Sequence, residues 1–434
     1  MRGLLRRIHE SPLGGSPAVL VGLVLWNAGN YVFFLLAGRW LGPDDYGVVA
    51  ALLAVTLIVL VPSGALQVAF SRRVAELGPE GHATAVALFR RTLCWTLGIG
   101  VALAVLAYVI AELTTSSIPT GPLALTALAI APMGAFSLAL GSLQGQHRFG
   151  AFAAGLAMLG APRPIVFALL TLGTSGVFAA MGAPTVAIFC AALLVVLLAR
   201  PRGHHDHRLM GEEWRTFRRR IAPFAIGLSG VAVLLNVDVI VAKAALSDRT
   251  AGHFGAVAVL AKAITLVPQT VSWVLLPRIA KARSTAMSTG RFLAIGAVTT
   301  VVAGVGATLV AWAAGTPIIR LAFGAEYAGG GRLLAPLVAV STLTGLLMVL
   351  MNYQMGCGFD GFVWAIAALA AFEMLLFAGL HGSAGTIIWV EALVGILGIA
   401  IYEALYARGD GGLFRNVGQM LRHRPGPAFG VQAK

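Results

Sequence analysis

Long apolar runs dominate the chain, and short polar or charged segments separate them. Each run is about 20 residues long, the length of a helix that crosses a hydrocarbon core roughly 30 Å thick. Because lipid cannot satisfy free backbone N–H and C=O groups, such runs predict transmembrane helices. We number twelve predicted spans in chain order, at residues 18–38, 47–69, 92–111, 122–142, 150–172, 177–199, 221–243, 253–277, 292–314, 331–354, 362–381 and 384–407.

Composition agrees with the pattern of runs. The chain has 434 residues, of which 58% are hydrophobic and 11% are charged, whereas about 25% of a soluble protein's residues are charged. The predicted fold class is therefore an all-α polytopic membrane protein. The three cysteines, Cys94, Cys190 and Cys357, fit neither a disulfide framework nor a metal site, and no cofactor or metal is predicted.

Charge predicts the orientation of the spans. The net charge is +14, and most Arg and Lys residues fall in alternate connections, as expected for cytoplasmic loops. A missed span would invert the later loops and destroy this bias. The sequence thus predicts twelve spans in the inner or plasma membrane with both termini cytoplasmic, and the basic loops explain the charge without a nucleic-acid partner.

The longest connection, residues 200–220, divides the spans six and six. This predicts an N-terminal six-helix bundle at 1–199 (the N-half), a cytoplasmic linker at 200–220, a C-terminal bundle at 221–407 (the C-half) and a cytoplasmic tail at 408–434. Three histidines at 204, 205 and 207 could indicate metal, but a solvated polar linker is the simpler interpretation. Its basic end, Arg218 to Arg220, is expected to rest against anionic headgroups.

An internal repeat relates the two halves. The stretch NYVFFLLAGRWLGPDDYGVVAAL from Asn30 matches NVDVIVAKAALSDRTAGHFGAVAVL from Asn236, and the segment from Leu41 to Gly47 equals that from Leu246 to Gly252 in length. Both run from a helix through a short acidic turn into a second helix. Chance similarity of helical hairpins is the alternative to duplication. Halves with six spans each have the same orientation, and transporters built this way bind substrate between the halves.

Four segments in order resemble the polysaccharide-export branch of the multidrug/oligosaccharidyl-lipid/polysaccharide exporter superfamily. They are AGRWLGPDDYGVVAAL at 37–52, GSLQGQHRFGAFA at 141–153, the long segment 234–282 beginning LLNVDVIVAKAALSDRTAGHFGAVAVL, and FGAEYAGGGRLLAPL at 323–337. The resemblance covers nearly the whole chain. His253-Phe254 departs from it, because a tyrosine is usual after the glycine.

This resemblance implies a V-shaped, MATE-like pair of six-helix bundles around a central cavity. It also implies a monomer, surrounded by membrane lipids, that flips or exports a polyprenyl-linked oligosaccharide or a related cell-surface precursor, such as an O-antigen unit, by alternating access. Multidrug or cation antiport by the related MATE branch is the alternative. That function would favour acidic cavity residues, whereas basic residues within the spans favour an anionic substrate.

Charged residues inside spans are costly, about 2.5–3.5 kcal/mol each on insertion scales, and therefore mark candidate sites. Arg163 lies in span five between Pro162 and Pro164, which we expect to kink the helix. It could bind the phosphate or pyrophosphate of a lipid-linked sugar, since Arg forms bidentate contacts with such groups. Pairing with a carboxylate or snorkelling towards the interface is the alternative.

Further polar residues extend the candidate site. Asp238 in span seven and Lys262 in span eight could bind substrate or form a pair that changes during transport, or they could be a static pair. Glu373, Glu391 and Asp238 are candidates for coupling to a proton or sodium, with helix–helix hydrogen bonding as the alternative for the two glutamates. Asn30 and Asn236 could line the cavity or tie helices together.

Enzyme classes find little support in the sequence. There is no Walker A motif, and no nucleophile stands beside a paired base. A membrane glycosyltransferase would need sizeable outer loops to hold sugar, but every predicted outer loop is short, the longest being about 315–330. The sequence therefore predicts a transporter rather than an enzyme.

Overall fold

The fold is helical throughout the part of the chain that the computed structural model describes, residues 17–78, 81–114, 119–199, 210–284, 288–358, 361–407 and 411–422. Eleven helices are long and apolar enough to cross a membrane. One of them, Pro17–Leu77, consists of two helices, spans one and two, that meet at a non-helical Gly42 with φ 73° and ψ 173°. The twelve predicted spans are therefore all present as helices.

The bounds of the spans follow the predictions closely in most places. Spans one and two form Pro17–Leu77, spans three and four are His82–Thr114 and Thr120–Gly145, and spans six and seven are Gly176–Ala199 and Met210–Ala245; spans eleven and twelve are Gly361–Gly379 and Ala384–Tyr406. A further short helix, Leu413–Arg422, follows span twelve. Residues 1–16, 200–209 and 423–434, which hold the predicted histidine-rich linker and the end of the tail, lie outside the described residues.

The remaining spans are broken or extended. Span five is split at its prolines into Phe149–Gly160 and Arg163–Leu170, as predicted. Span eight passes through a short 3-10 segment, so that it consists of Asp248–Lys262, Ala263–Thr265 and Leu266–Ser284.

The outer connection predicted at about 315–330 is largely helical. Span nine continues as Gly290–Phe323 past a non-helical Ala314, and a 3-10 helix, Ala325–Leu333, leads into Leu334–Gly356 of span ten. The segment 315–330 contains four glycines and a proline, which local propensity assigns to a loop. Tertiary contacts made by Ile319, Phe323 and Tyr327, all buried, hold it in helical form instead.

The same helix pairs pack together in both halves. Span one packs on span five and span seven on span eleven; span two packs on span four and span eight on span ten; span three packs on span four and span nine on span ten. Close contacts that represent these six pairs are Gly22–Ala153, Gly230–Ile366, Gln67–Gly141, Pro268–Gly345, Thr96–Gly134 and Gly304–Thr342. This matched packing agrees with the internal repeat. The exact domain boundaries stay a prediction.

The halves meet where the first two spans of each half are joined, at the end of the molecule predicted to face outward. We call this region, residues 38–50, 246–255 and 321–331, the turn junction. Here Gly47 lies against Gly252, its partner in the sequence repeat, and Gly252 lies against Pro43. The junction thus brings equivalent positions of the two halves face to face, as expected near an axis that relates parallel repeats.

Hydrogen bonds and aromatic rings complete the turn junction. Arg39 donates to the carbonyl oxygens of Ala322, at 2.9 Å, and Leu321. The Tyr327 hydroxyl donates to the carbonyl oxygen of Gly38 over 2.8 Å. The ring of Tyr46 contacts those of Phe323 and Tyr327 at centroid distances of 5.6 and 6.1 Å. The junction is therefore packed and specific rather than an incidental contact.

A second connection between the halves comes from the end of the linker. Residues from Met210 onward are helical and continuous with span seven, yet Trp214 and Phe217 pack on the N-half. The Trp214 ring meets that of Trp95 at 5.6 Å, and the Arg91 guanidinium lies 5.4 Å from its centroid. The sequence predicted a solvated linker for the whole of 200–220, and in this part that prediction is wrong, because an apolar helix face is buried.

Candidate functional site

The interior of the N-half contains one cation, Arg163, at the break in span five. The helix that it begins is preceded by Pro162, so the local backbone is set by the proline-rich sequence. Arg163 is only 7% exposed, and its terminal N–H donates to the side-chain oxygen of Asn30 in span one over 2.7 Å. Two residues that the sequence proposed separately therefore form one polar site.

Arg163 has no carboxylate partner among the described residues. Its contact with Asn30 is to a neutral amide, and its Nε has no hydrogen-bond partner. An arginine carries five N–H donors in a fixed fork, so most of its donor capacity is unused. Arg163 is therefore a buried cation without a carboxylate partner in the described part of the chain.

The interior of the C-half has a different arrangement. Asp238, which is completely buried, accepts a hydrogen bond from the ammonium group of Lys262 over 2.7 Å. Span seven supplies the carboxylate, and span eight supplies the lysine at the point where its regular helix gives way to a 3-10 turn. The predicted intramembrane pair is therefore present, whether it is static or changes during transport.

Two more carboxyl groups lie beside this ion pair. Glu391 of span twelve is within hydrogen-bonding reach of the Asp238 carboxyl, and Glu373 of span eleven is close enough to interact electrostatically with Asp238 and Lys262. Glu373 is 1% and Glu391 is 7% exposed. We call these four residues the C-half cluster.

The other candidates have more local contacts. Asn236 donates to the carbonyl oxygen of Ala232 in its own helix and makes no contact that reaches the C-half cluster in the described structure. Lys243, at the outer end of span seven, is buried and bound to Asp248. A cavity-lining role for Asn30 or Asn236 stays a prediction.

Sequence reasoning found all four members of the C-half cluster and proposed Asp238 and Lys262 as a pair, but it did not group the two glutamates with them. The signal was present, because each is a charged residue within an apolar span. What was missing was the rotation of each helix about its axis. Sequence reasoning also missed Arg39 and Tyr327, whose bonds across the turn junction depend on the unpredicted helical form of 315–333.

Comparison with known proteins establishes the family. The family model described as polysaccharide biosynthesis protein matches residues 18–283, more than half of the chain. No curated protein matches the sequence significantly. The chain belongs to the polysaccharide biosynthesis protein family.

Solved structures establish the fold. The lipid II flippase MurJ in an inward closed conformation matches with a TM-score of 0.69 and 14% identity over 94% of this chain and 90% of that one. An inward-facing MATE family transporter matches with a TM-score of 0.63 and 15% identity, over 87% of this chain and 92% of that one. A eukaryotic MATE transporter matches with a TM-score of 0.60 and 12% identity, over 93% of this chain and 96% of that one. The chain therefore has the MATE-like fold of these transporters.

Proposed function

We propose that this protein flips or exports a polyprenyl-linked oligosaccharide, or a related cell-surface polysaccharide precursor, by alternating access. The observation that carries the proposal is Arg163, a buried cation of the N-half whose contact is a neutral amide. A phosphate or pyrophosphate group would supply the missing negative charge and accept the unused N–H donors. The family match and the structural similarity to the lipid II flippase MurJ support the same class of cargo.

In this proposal, the glycan headgroup is drawn into the space between the halves and its phosphate binds Arg163 and Asn30. The turn junction closes one end of this space, and opening it would release the headgroup to the side predicted to be outer. The polyprenyl tail stays in the lipid, and moving this apolar chain from one leaflet to the other costs little free energy. The proposal places substrate recognition mainly in the N-half.

The test is translocation of a fluorescent polyprenyl-pyrophosphoryl sugar by purified protein in liposomes. Arg163→Gln should reduce the initial rate at least tenfold, because a neutral amide cannot compensate the pyrophosphate charge. Arg163→Lys should retain part of the rate, since it keeps the charge but not the fork geometry. Full activity of Arg163→Gln would remove this residue from the substrate site.

Cation antiport is the second candidate, because the three carboxyl groups of the C-half cluster could attract an organic cation. Their burial and the bond between Asp238 and Lys262 argue for an internal role instead. The same liposomes distinguish the two functions. Transport of a cationic dye without movement of the polyprenyl-linked sugar would replace the proposed function with antiport.

A further inference from the structure

Two arginines share one aromatic ring at the end of the molecule predicted to be cytoplasmic. The guanidinium carbons of Arg91 and Arg218 lie 5.4 and 5.8 Å from the centroid of the Trp214 ring. Arg91 belongs to span three of the N-half, whereas Trp214 and Arg218 belong to the helix that continues into span seven of the C-half. One ring therefore holds two cations from helices of different halves.

The Trp214 ring is held in place by its neighbours. It is 8% exposed, and it contacts the rings of Trp95 and Phe217 at centroid distances of 5.6 and 6.3 Å. A guanidinium group against an aromatic face can still donate through its edge, because its five N–H groups lie in its own plane. The ring thus positions both cations without using their hydrogen bonds.

The charges of Arg91 and Arg218 are not compensated by the described part of the chain. Both side chains are exposed, and neither has a hydrogen bond or an ion pair with any described residue. An aromatic ring attracts a cation through its quadrupole but has no net charge, so it cannot cancel the repulsion between the two guanidinium groups. An anion bound by both would cancel it.

The position of this pair in the membrane indicates the source of the anion. Arg91 immediately precedes the predicted start of span three, and Trp95, one turn further on, is 42% exposed, as is common for tryptophan at the membrane surface. The cytoplasmic leaflet presents anionic phospholipids at this depth. The sequence placed Arg218 to Arg220 near headgroups as a group, whereas the structure singles out Arg218 together with Arg91.

We propose that Arg91 and Arg218 together bind the phosphate of one anionic phospholipid over the Trp214 ring. The phosphate oxygens accept N–H groups from both arginines, and such charge-assisted bonds are among the stronger ones. The bound lipid joins span three to the helix of span seven, and hence the N-half to the C-half. A zwitterionic headgroup is disfavoured, because it brings its own cation towards two others. This site is independent of the function proposed above, since neither arginine belongs to the proposed substrate site.

Native mass spectrometry of the purified full-length protein tests the site. Protein released from neutral detergent micelles should retain one phosphatidylglycerol molecule in preference to phosphatidylcholine. Arg91→Gln and Arg218→Gln should each weaken this retention about fivefold, the usual contribution of one basic residue beside anionic lipid. Equal retention of the two phospholipids by the unsubstituted protein would overturn the proposal.

Arg219→Gln is the matched control. It removes the same charge from an exposed position of the same helix, and Arg219 has no ring contact in the described structure. Because salt screens general attraction between exposed charges, retention of phosphatidylglycerol should fall less than about twofold. A loss equal to that of Arg218→Gln would indicate a diffuse surface potential and overturn a defined site.

The number of lipids retained tests whether one headgroup contacts both arginines. The double variant Arg91→Gln/Arg218→Gln should lose the same single lipid that each single variant loses. Loss of two lipids by the double variant and one by each single variant would overturn the shared site. Millimolar inorganic phosphate should not displace phosphatidylglycerol. Displacement would assign the site to a free anion, and preferential retention of a polyprenyl pyrophosphate would assign it to the substrate's route; either result would overturn the proposal.

Discussion

The two halves pack their helices in the same way, but their buried charged residues differ. In the N-half, Asn30 accepts a hydrogen bond from Arg163, a cation without a carboxylate. In the C-half, its repeat partner Asn236 bonds within its own helix, and the charge lies two residues later, at Asp238. Val32 occupies the corresponding position of the N-half.

Removal of charge should therefore have different consequences in the two halves. Removing Arg163 leaves no carboxylate among the described residues without a counter-ion, whereas removing Lys262 leaves Asp238 buried without its counter-ion. The comparison therefore predicts that substitutions in the two halves have different effects on stability and on transport.

The largest effect is expected from Lys262→Met. It leaves Asp238 buried without its counter-ion, and breaking a buried pair on one side costs roughly 3–5 kcal/mol. The measurement is the free energy of unfolding in detergent micelles. The double variant Lys262→Met/Asp238→Asn should recover most of the loss, because the unpaired charge is gone. A single variant as stable as the parent would contradict the view that this pair is strongly buried.

The second-largest effect is expected from substitution of the two equivalent glycines in the turn junction, Gly47 and Gly252. A Cβ atom at Gly252 would lie 1.7 Å from the carbonyl oxygen of Pro43, whereas one at Gly47 would lie 3.0 Å from the nearest atom. Overpacking of this kind costs about 1–3 kcal/mol. Gly252→Ala should therefore open the junction in a larger fraction of molecules than Gly47→Ala.

Spin labels measure this opening. Exposed positions 45 and 249 flank the junction on opposite halves, and cysteines placed there, with Cys94 and Cys190 replaced by serine, report the distance between the halves. Gly306→Ala, where a Cβ meets nothing within 4 Å, is the control. Equal distance distributions in Gly252→Ala and Gly306→Ala would show that the two halves do not separate at this point.

A smaller effect is expected from Tyr327→Phe. Its hydroxyl bonds to the carbonyl oxygen of Gly38 on the other half, and a hydrogen bond of this kind contributes about 0.5–1.5 kcal/mol net. Tyr46→Phe is a matched control, because the buried hydroxyl of Tyr46 has no partner. Tyr327→Phe should lengthen the spin-label distance in more molecules than Tyr46→Phe, and the reverse order would exclude this bond from the junction's stability.

The smallest effect on stability is expected from Arg163→Met. Removing an uncompensated buried charge offsets the loss of the hydrogen bond to Asn30, so the free energy of unfolding should stay within about 1 kcal/mol of the parent. Its contrast with Lys262→Met, measured in the same micelles, is the direct test of the comparison. A loss as large as that of Lys262→Met would show that Arg163 has an internal counter-charge.

Much of this architecture could be predicted from residue order. Apolar runs long enough to span lipid admit only helices, because every backbone polar group must be satisfied within the segment. That constraint identified all twelve spans, and Pro162 and Pro164 identified the break in span five. The constraint is weaker at the ends of spans, where water can satisfy the backbone, and the helical form of the outer connection at 315–330 was therefore not predicted.

Grouping of the site residues could not be predicted in the same way. Each charged residue has a known depth in its span, but its direction depends on the rotation of the helix, which in lipid is set by packing against neighbours rather than by a polar face. Four helices that are apolar all round give no amphipathic pattern from which that rotation could be read. The pairing of Arg163 with Asn30 was missed for the same reason.

By itself, the sequence determined the class of protein, the twelve spans, the repeat and the residues whose burial requires an explanation, since these depend on local composition and on the thickness of the bilayer. Only the tertiary structure decided which of those residues meet. In that structure, Arg163 of the N-half bonds to a neutral amide, three carboxyl groups lie near Lys262 in the C-half, and Gly47 packs against Gly252. These outcomes depend on how helices rotate and pack, and that is decided by contacts between residues far apart in the chain.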